Sequence, residues 1–307
     1  MKKVLFATTA LIATAGMASA DISMGGFGRF GIVHADGAAN ENRIEQRFRL
    51  TITGKTESDA GVKFEGRIRF QADDNADGTS SLANSSAPGF AVTSGGIRVD
   101  VGNVSNVIDS GDAANYYGYG VGMTGFVDNS TGMGLPAAGF GTQAFSSEVA
   151  GATVANSSTN TVKLRYSAGD LTASASYQDD ANEATQFGVG YSFGNYSAGL
   201  VAGQSDVANT DFVAASLSGE VGAVAFNVLV TDNEARADNG VSISAKYAMS
   251  AATELRFAYS DGGAAGVDAA MGVGFIHQLG GGVSLRGGIG EGTDGNTDAD
   301  LGVVFNF

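Results

Sequence analysis

Residues 43–54 read RIEQRFRLTITG. Arg43, Glu45, Arg47, Arg49, Thr51 and Thr53 alternate with Ile44, Gln46, Phe48, Leu50 and Ile52. Successive side chains of a β-strand point to opposite faces, so this stretch predicts a strand with one wet, cationic face and one largely hydrocarbon face. The pattern recurs in GVKFEGRIRFQ (61–71), TVKLRYS (161–167), LTASASYQ (171–178), VAFNVLVT (224–231), ELRFAYS (254–260) and ADLGVVFNF (299–307). Sixteen such segments run from about 22–34 to 299–307, separated by turn-forming residues, and predict an all-β antiparallel protein.

The connections alternate in kind. Short ones (SAGD, FGNY, SGEVG) take turns with longer acidic ones such as TDNEARADNG (231–240) and EGTDGNTDAD (291–300). That asymmetry places tight turns at one end of a sheet and long loops at the other, as in a transmembrane barrel. The connection from about 103 to 160 is far longer than the rest, and a loop of that length in a compact domain usually serves function. A soluble sandwich shares the alternation, but several strands reach the length that crosses a bilayer. Tyr166, Tyr177, Tyr191, Tyr196, Tyr247, Tyr259 and Phe307 also fall near strand ends on the apolar face, where an interfacial girdle belongs.

The chain opens MKKVLFATTALIATAGMASA: two lysines, an apolar run, then Ala18-Ser19-Ala20. This is the pattern of a secretory signal peptide over 1–20, cleaved before Asp21, leaving one domain over 21–307. Cleavage removes two lysines and no acid, so the net charge of −15 becomes −17. Such an acidic chain is ill suited to nucleic acid, whose backbone requires lysine and arginine. Cysteine is absent, which excludes disulfides and thiol chemistry. Glycine, at 47 of 307 residues against two prolines, suits a chain of many strands and turns.

Six stretches carry a resemblance spanning essentially the whole mature chain: GGFGRFGI (25–32), RFRLTITGKTESDAGVKFEGRIRF (47–70), YSAGDLTASASY (166–177), FGVGYSFGNYSAGL (187–200), LGGGVSLRGGIG (279–290) and ADLGVVFNF. They are similar to the Gram-negative general diffusion porins, especially those of purple photosynthetic alphaproteobacteria, and the likeness is weakest in the long loop. The resemblance implies a sixteen-stranded antiparallel β-barrel in the outer membrane, assembled as a homotrimer amid lipid and lipopolysaccharide. It also implies a third loop, about 103–160, folded inward to narrow the pore. The C-terminal Phe307 matches the residue this family presents to the outer-membrane assembly machinery.

If the apolar face of RIEQRFRLTITG meets lipid, its arginines face the lumen. The same alternation assigns Arg29, Arg47, Arg49, Lys63, Arg67, Arg69, Arg98 and Arg165 to a basic pore wall. The long loop has no Lys or Arg from 103 to 160 and carries Asp109, Asp112, Asp128 and Glu148. Folded against the wall, it would set carboxylates across a narrow aqueous gap from guanidiniums, giving a field that favours dipolar, hydrophilic solutes. Acidic outer loops favour cations and the arginine strip favours anions; the balance leans toward cations.

Enzyme chemistry finds little support. His34 and His277 lie far apart near strand ends, and no GxSxG elbow occurs. GVGMTG (120–125) fits GxGxxG but lacks the strand-to-helix context a dinucleotide needs. No cofactor is expected. Acidic clusters (Asp73, Asp74 and Asp77; Asp294, Asp298 and Asp300) offer oxygen ligands to calcium, but without fixed ligand spacing they read first as solvated loops. The expected function is therefore passive passage of ions and small hydrophilic solutes. A substrate-specific channel, or a plugged barrel serving as adhesin or anchor, stands as the alternative.

Overall fold

The computed structural model describes residues 20–74, 79–81, 83–138, 140, 160–179 and 183–307. The expected signal peptide, apart from Ala20, lies outside them, as do Asp77 and Glu148. The strands are β1 (Asp21–Ala35), β2 (Asn42–Glu57), β3 (Lys63–Asp73), β4 (Asn84–Ser85), β5 (Gly89–Ser94), β6 (Ile97–Gly102), β7 (Asn160–Ala168), β8 (Leu171–Asp179) and β9 (Ala184–Phe193). They continue through β10 (Tyr196–Ser205), β11 (Phe212–Val221), β12 (Val224–Asn233), β13 (Gly240–Ala248), β14 (Thr253–Asp261), β15 (Ala270–Gly280), β16 (Val283–Glu291) and β17 (Thr297–Asn306). One short helix, α1 (Val107–Ser110), interrupts the long connection between β6 and β7.

Each strand pairs antiparallel with its neighbours, and β1 pairs with both β2 and β17, so the sheet closes. β4 and β5 together occupy one wall position. Asn84–Ser85 pair with Phe70–Gln71, and Gly89–Thr93 pair with Lys63–Arg67. Pro88, which has no N–H to give the ladder, lies in the break between them. Seventeen strands therefore make a sixteen-stranded barrel, and all sixteen expected segments are present.

Alternation sorts the two faces. Ile32, Phe48, Val189, Leu200, Ile243 and Val273 point outward and stay exposed, whereas Ser174, Ser176, Ser242, Ser244 and Ser260 point inward and are buried. Outward hydrocarbon is the face a bilayer solvates, and closure leaves no unpaired strand edge inside it. No helix among the described residues is long and apolar enough to cross a membrane. At the tight-turn end, Tyr191, Phe193, Tyr196 and Phe226 follow one another at 6.3, 5.8 and 6.4 Å between rings. The Gly194–Asn195 turn beside them needs the left-handed backbone of Gly194 (φ 59°), which glycine adopts without a Cβ clash.

The best-buried residues lie inside the barrel. Val107, Ile108, Ala113, Tyr116, Met133 and Leu135 of the β6–β7 connection pack on inward-facing Val201, Phe212, Ala214 and Leu229. Val121 and Val127 pack on Ala258 and Ala270, and Met123 packs on Val33 and Val304. Described residues 103–140 therefore run along the inner wall, and the core of the molecule is the seam between this loop and the strands behind it.

Candidate functional site

Polar groups pin the loop at intervals around the inner wall. Val107 N–H donates to Ser176 Oγ (3.2 Å), Ile108 N–H to Gln186 Oε1 (3.0 Å), Asn115 N–H to Ser216 Oγ (2.9 Å) and Tyr119 N–H to Ser244 Oγ (2.8 Å). The far tip reaches β17, where Asp300 accepts from Met123 N–H, Thr124 N–H and Thr124 Oγ1 (2.8, 2.8 and 2.7 Å). Close approach requires small residues beneath. A Cβ on Gly199 would fall 1.9 Å from Ala113 O, and one on Gly288 would fall 2.7 Å from Val121 Cγ1. Part of the glycine excess thus seats the loop rather than making turns.

The inner faces of β2, β3 and β6 lie outside these anchors and carry much of the expected basic wall. That wall differs from the uniform positive strip anticipated from sequence, because carboxylates on the same strand faces neutralise much of it. Arg29 pairs with Glu45 and Arg47 with Asp73. Arg98 meets Asp100 (2.8 Å) and Glu65 (3.4 Å), and Arg43 meets Asp74 (3.0 Å). Glu45 sits between Arg43 and Arg47 in sequence and Glu65 two residues before Arg67, so alternation alone could have placed these acids in the lumen. Lys63 is exposed at the tight-turn rim.

Arg49, Arg67 and Arg69 have no carboxylate within ion-pair distance among the described residues. Arg49 bonds Gln71 and lies over the Phe27 ring (5.1 Å). Arg67 and Arg69 lie over the ring of Phe140 (4.2 and 4.5 Å), and Arg69 Nη1 donates to Phe140 O. Phe140 belongs to the loop, so the loop touches the basic wall through an aromatic ring that no charge-based analysis singles out.

The four loop acids take different places. Asp112 is clasped by Lys163 Nζ (2.7 Å) and Arg165 Nη1 (3.0 Å), fastening the loop to β7. Lys163 was not among the expected site residues, although it shares the inward face of Arg165 at a spacing of two. Asp109 accepts from Tyr117 Oη (2.5 Å), and its charge reaches Arg69 without an ion pair. Asp128 does not meet the wall. Its Oδ1 accepts from Ser130 N–H (2.8 Å) and Ser130 Oγ (2.6 Å), because an Asx turn offers closer donors than a distant guanidinium. Glu148 lies outside the described residues.

Burial opposes ionisation of Asp112, but Lys163 and Arg165 outweigh it and hold the carboxyl below its ordinary value of 3.8. A depressed folded-state pKa contributes stability above the ordinary value and loses it as pH falls through the lower one. The fastening of the loop to β7 is therefore expected to hold from neutral pH down to the ordinary value of 3.8 and to weaken only further into acid. Asp112→Asn is expected to show the acid behaviour at neutral pH, and single-channel recording across pH checks both. Burial and then the bond to Asp109 push the Tyr117 phenol far up, so it stays a donor.

The histidines are engaged at strand ends, His34 with Asn42 (2.9 Å) and His277 with Thr253 (2.8 Å). Among the described residues no group of three or more His, Asp or Glu could hold a metal ion. A closed barrel, lipid-facing outside and partly crossed by its own loop, is the architecture of a channel. A Gram-negative porin family model matches residues 7–297. The chain belongs to this family. A porin of Fuscovulum blasticum is 30% identical over 308 residues, covering 94% of this chain and 100% of its own. A triple mutant of Rhodopseudomonas blastica porin superposes with a TM-score of 0.77 at 27% identity, covering 94% of this chain and 100% of that one. A structure described under asymmetric conductivity of engineered proteins gives 0.74 at 27% identity, with the same coverage. The porin resides in the outer membrane as a diffusion channel, and its relatives are channels rather than enzymes.

Proposed function

We propose that the porin passes ions and small hydrophilic solutes through an eyelet bounded by Arg49, Arg67 and Arg69 on one side and by Asp109 with Tyr117 on the loop. The observation that carries this is the loop's course. It is anchored from β8 round to β17, and the charge of its Asp109 reaches Arg69, which has no ion-pair partner among the described residues. Charges held apart across a narrow aqueous gap create a transverse field that disfavours greasy solutes. The remaining basic residues and Asp112 hold the frame. The working unit is a homotrimer, exported by cleavage after Ala20, embedded among lipid and lipopolysaccharide, and presented to the assembly machinery by Phe307. In support of that last role, Phe307 is exposed and stacks on Phe48 (5.5 Å) at the β1–β17 seam.

The acidic outer loops act over the Debye length, roughly 30 Å at 0.01 M salt and 3 Å at 1 M, whereas eyelet charges act at contact. The pore therefore prefers cations in dilute salt and loses that preference in concentrated salt. Planar-bilayer recording of the mature protein under potassium chloride gradients tests the whole reading. Conductance steps in groups of three, with a reversal potential that shrinks as salt rises, are expected. A folded, inserted barrel that stays silent would overturn it in favour of a plugged barrel.

A further inference from the structure

Paired residues on neighbouring strands share a face, so the outward side chains form rows across the wall. One row runs from Ala245 of β13 through Phe257 of β14 to Ile289 of β16. The next, two residues nearer the tight turns, runs from Tyr247 through Phe275 and Gly287 to Leu301. Large side chains hold most of these places, but Ala245 offers one methyl group and Gly287 none. A groove of about 710 Å³ opens over this part of the outer wall. Ala245 and Gly287 stand three strand spacings apart, so it spans roughly 15 Å across the strands.

The groove is chemically uniform. Charged residues of its strands are engaged with the loop inside the barrel. Lys246 lies over the Tyr119 ring (5.2 Å), Arg256 Nη1 donates to Gly120 O (3.0 Å), and Asp300 holds the loop tip. The side chains of the two outward rows are hydrocarbon apart from the Tyr247 phenol, which sits at the tight-turn end. This is the face that meets lipid, and a hollow left empty would deprive its lining of dispersion contacts. A second copy of the chain would bring a polar rim needing hydrogen-bond partners, and the groove offers it only Tyr247.

We propose that this groove seats an acyl chain of a phospholipid from the periplasmic leaflet. Short turns of such barrels lie on the periplasmic side, which puts Tyr247 at the level of that leaflet's headgroups. A tyrosine there keeps its ring in hydrocarbon and donates its hydroxyl to a lipid ester or phosphate oxygen. The chain then lies over Ala245 and Gly287, flanked by Phe257 and Phe275. A concave seat touches a chain on more sides than the flat wall does, so this lipid exchanges more slowly than its neighbours.

The test reconstitutes the mature protein in vesicles of phosphatidylethanolamine and phosphatidylglycerol. A trace of phosphatidylcholine carries a diazirine on one palmitoyl chain; after irradiation, adducts are mapped by peptide mass spectrometry. The expected result is labelling concentrated on the groove strands and saturating as the labelled lipid is raised. Ala245→Leu lowers the yield there about tenfold, because its added carbons displace roughly two methylenes of the chain. Val189→Leu, on the exposed outward face elsewhere, leaves the groove yield within about twofold. Labelling spread evenly over the outward strands, or an unchanged yield in Ala245→Leu, overturns the seat. So does an unlabelled groove whose residues cross-link to a second copy instead. Heat-modifiable mobility on gels confirms that each variant is folded.

Discussion

Asp300→Ala is expected to loosen the tip of the long loop while leaving the barrel intact. Asp300 is buried on the inner face of β17 and accepts three hydrogen bonds from Met123 and Thr124. Hydrogen bonds to a charged group are worth about 1.5–3 kcal/mol each and are not additive, so the local loss is about 3–5 kcal/mol. The loop has closed tightly on this carboxylate. Gly122 sits at φ 85°, and a Cβ there would lie 2.5 Å from Asp300 Oδ1. The strand ladders of β17 with β1 and β16 do not use the side chain, so the wall holds. Val121 and Met123 remain apolar anchors, and the Asp112 clasp stays closed at the other end. The tip therefore flickers rather than leaves. Noisier single-channel current, a higher mean conductance and faster proteolysis near 120–127 are expected, with unchanged heat-modifiable mobility. Asp300→Asn keeps the shape and loses the charge, and should fall between the two.

The second large effect is on ion preference. Replacing Arg49, Arg67 and Arg69 together with glutamine should shift the cation-to-anion permeability ratio toward cations by about tenfold or more. A unit charge acting at contact distance through water contributes about 1 kcal/mol, or roughly fivefold, and three such charges partly screen one another. Asp109→Asn should shift the ratio the other way by about two- to fivefold, for the same reason. Removing Arg47 and Asp73 together, R47Q/D73N, leaves the net charge unchanged and should leave the ratio where it was. Reversal potentials under a salt gradient measure all three. A triple variant with the parent's ratio would show that the arginines are not at the narrowest point.

Much of this protein is readable without coordinates. In RIEQRFRLTITG a two-residue period with arginine on one face and hydrocarbon on the other leaves few solutions besides a wall between water and lipid, because a strand offers only two faces. Sixteen such segments, tight turns alternating with long acidic loops, give the strand count, and the resemblance to general diffusion porins adds the sixteen-stranded closed barrel. What periodicity does not carry is depth or partnership. It places Arg29, Arg47, Arg67 and Arg69 on one face alike, yet the first two are neutralised by Glu45 and Asp73 and the last two rest on Phe140.

The loop was the harder part. Its acids look equivalent in sequence, but Asp112 is a clasp, Asp109 accepts from Tyr117 and Asp128 closes a turn. Inward Val201, Phe212 and Leu229 break the rule that a lumen is polar, because the loop covers them and gives them an apolar neighbour. The strands and their two faces follow from local alternation, which each strand expresses by itself. Strand length and the aromatic girdle separate a membrane barrel from a sandwich. Which charges are cancelled, and which stay open to a solute, depends on contacts between residues such as 69 and 140 or 123 and 300. Those contacts form only when the barrel closes and its loop folds inside.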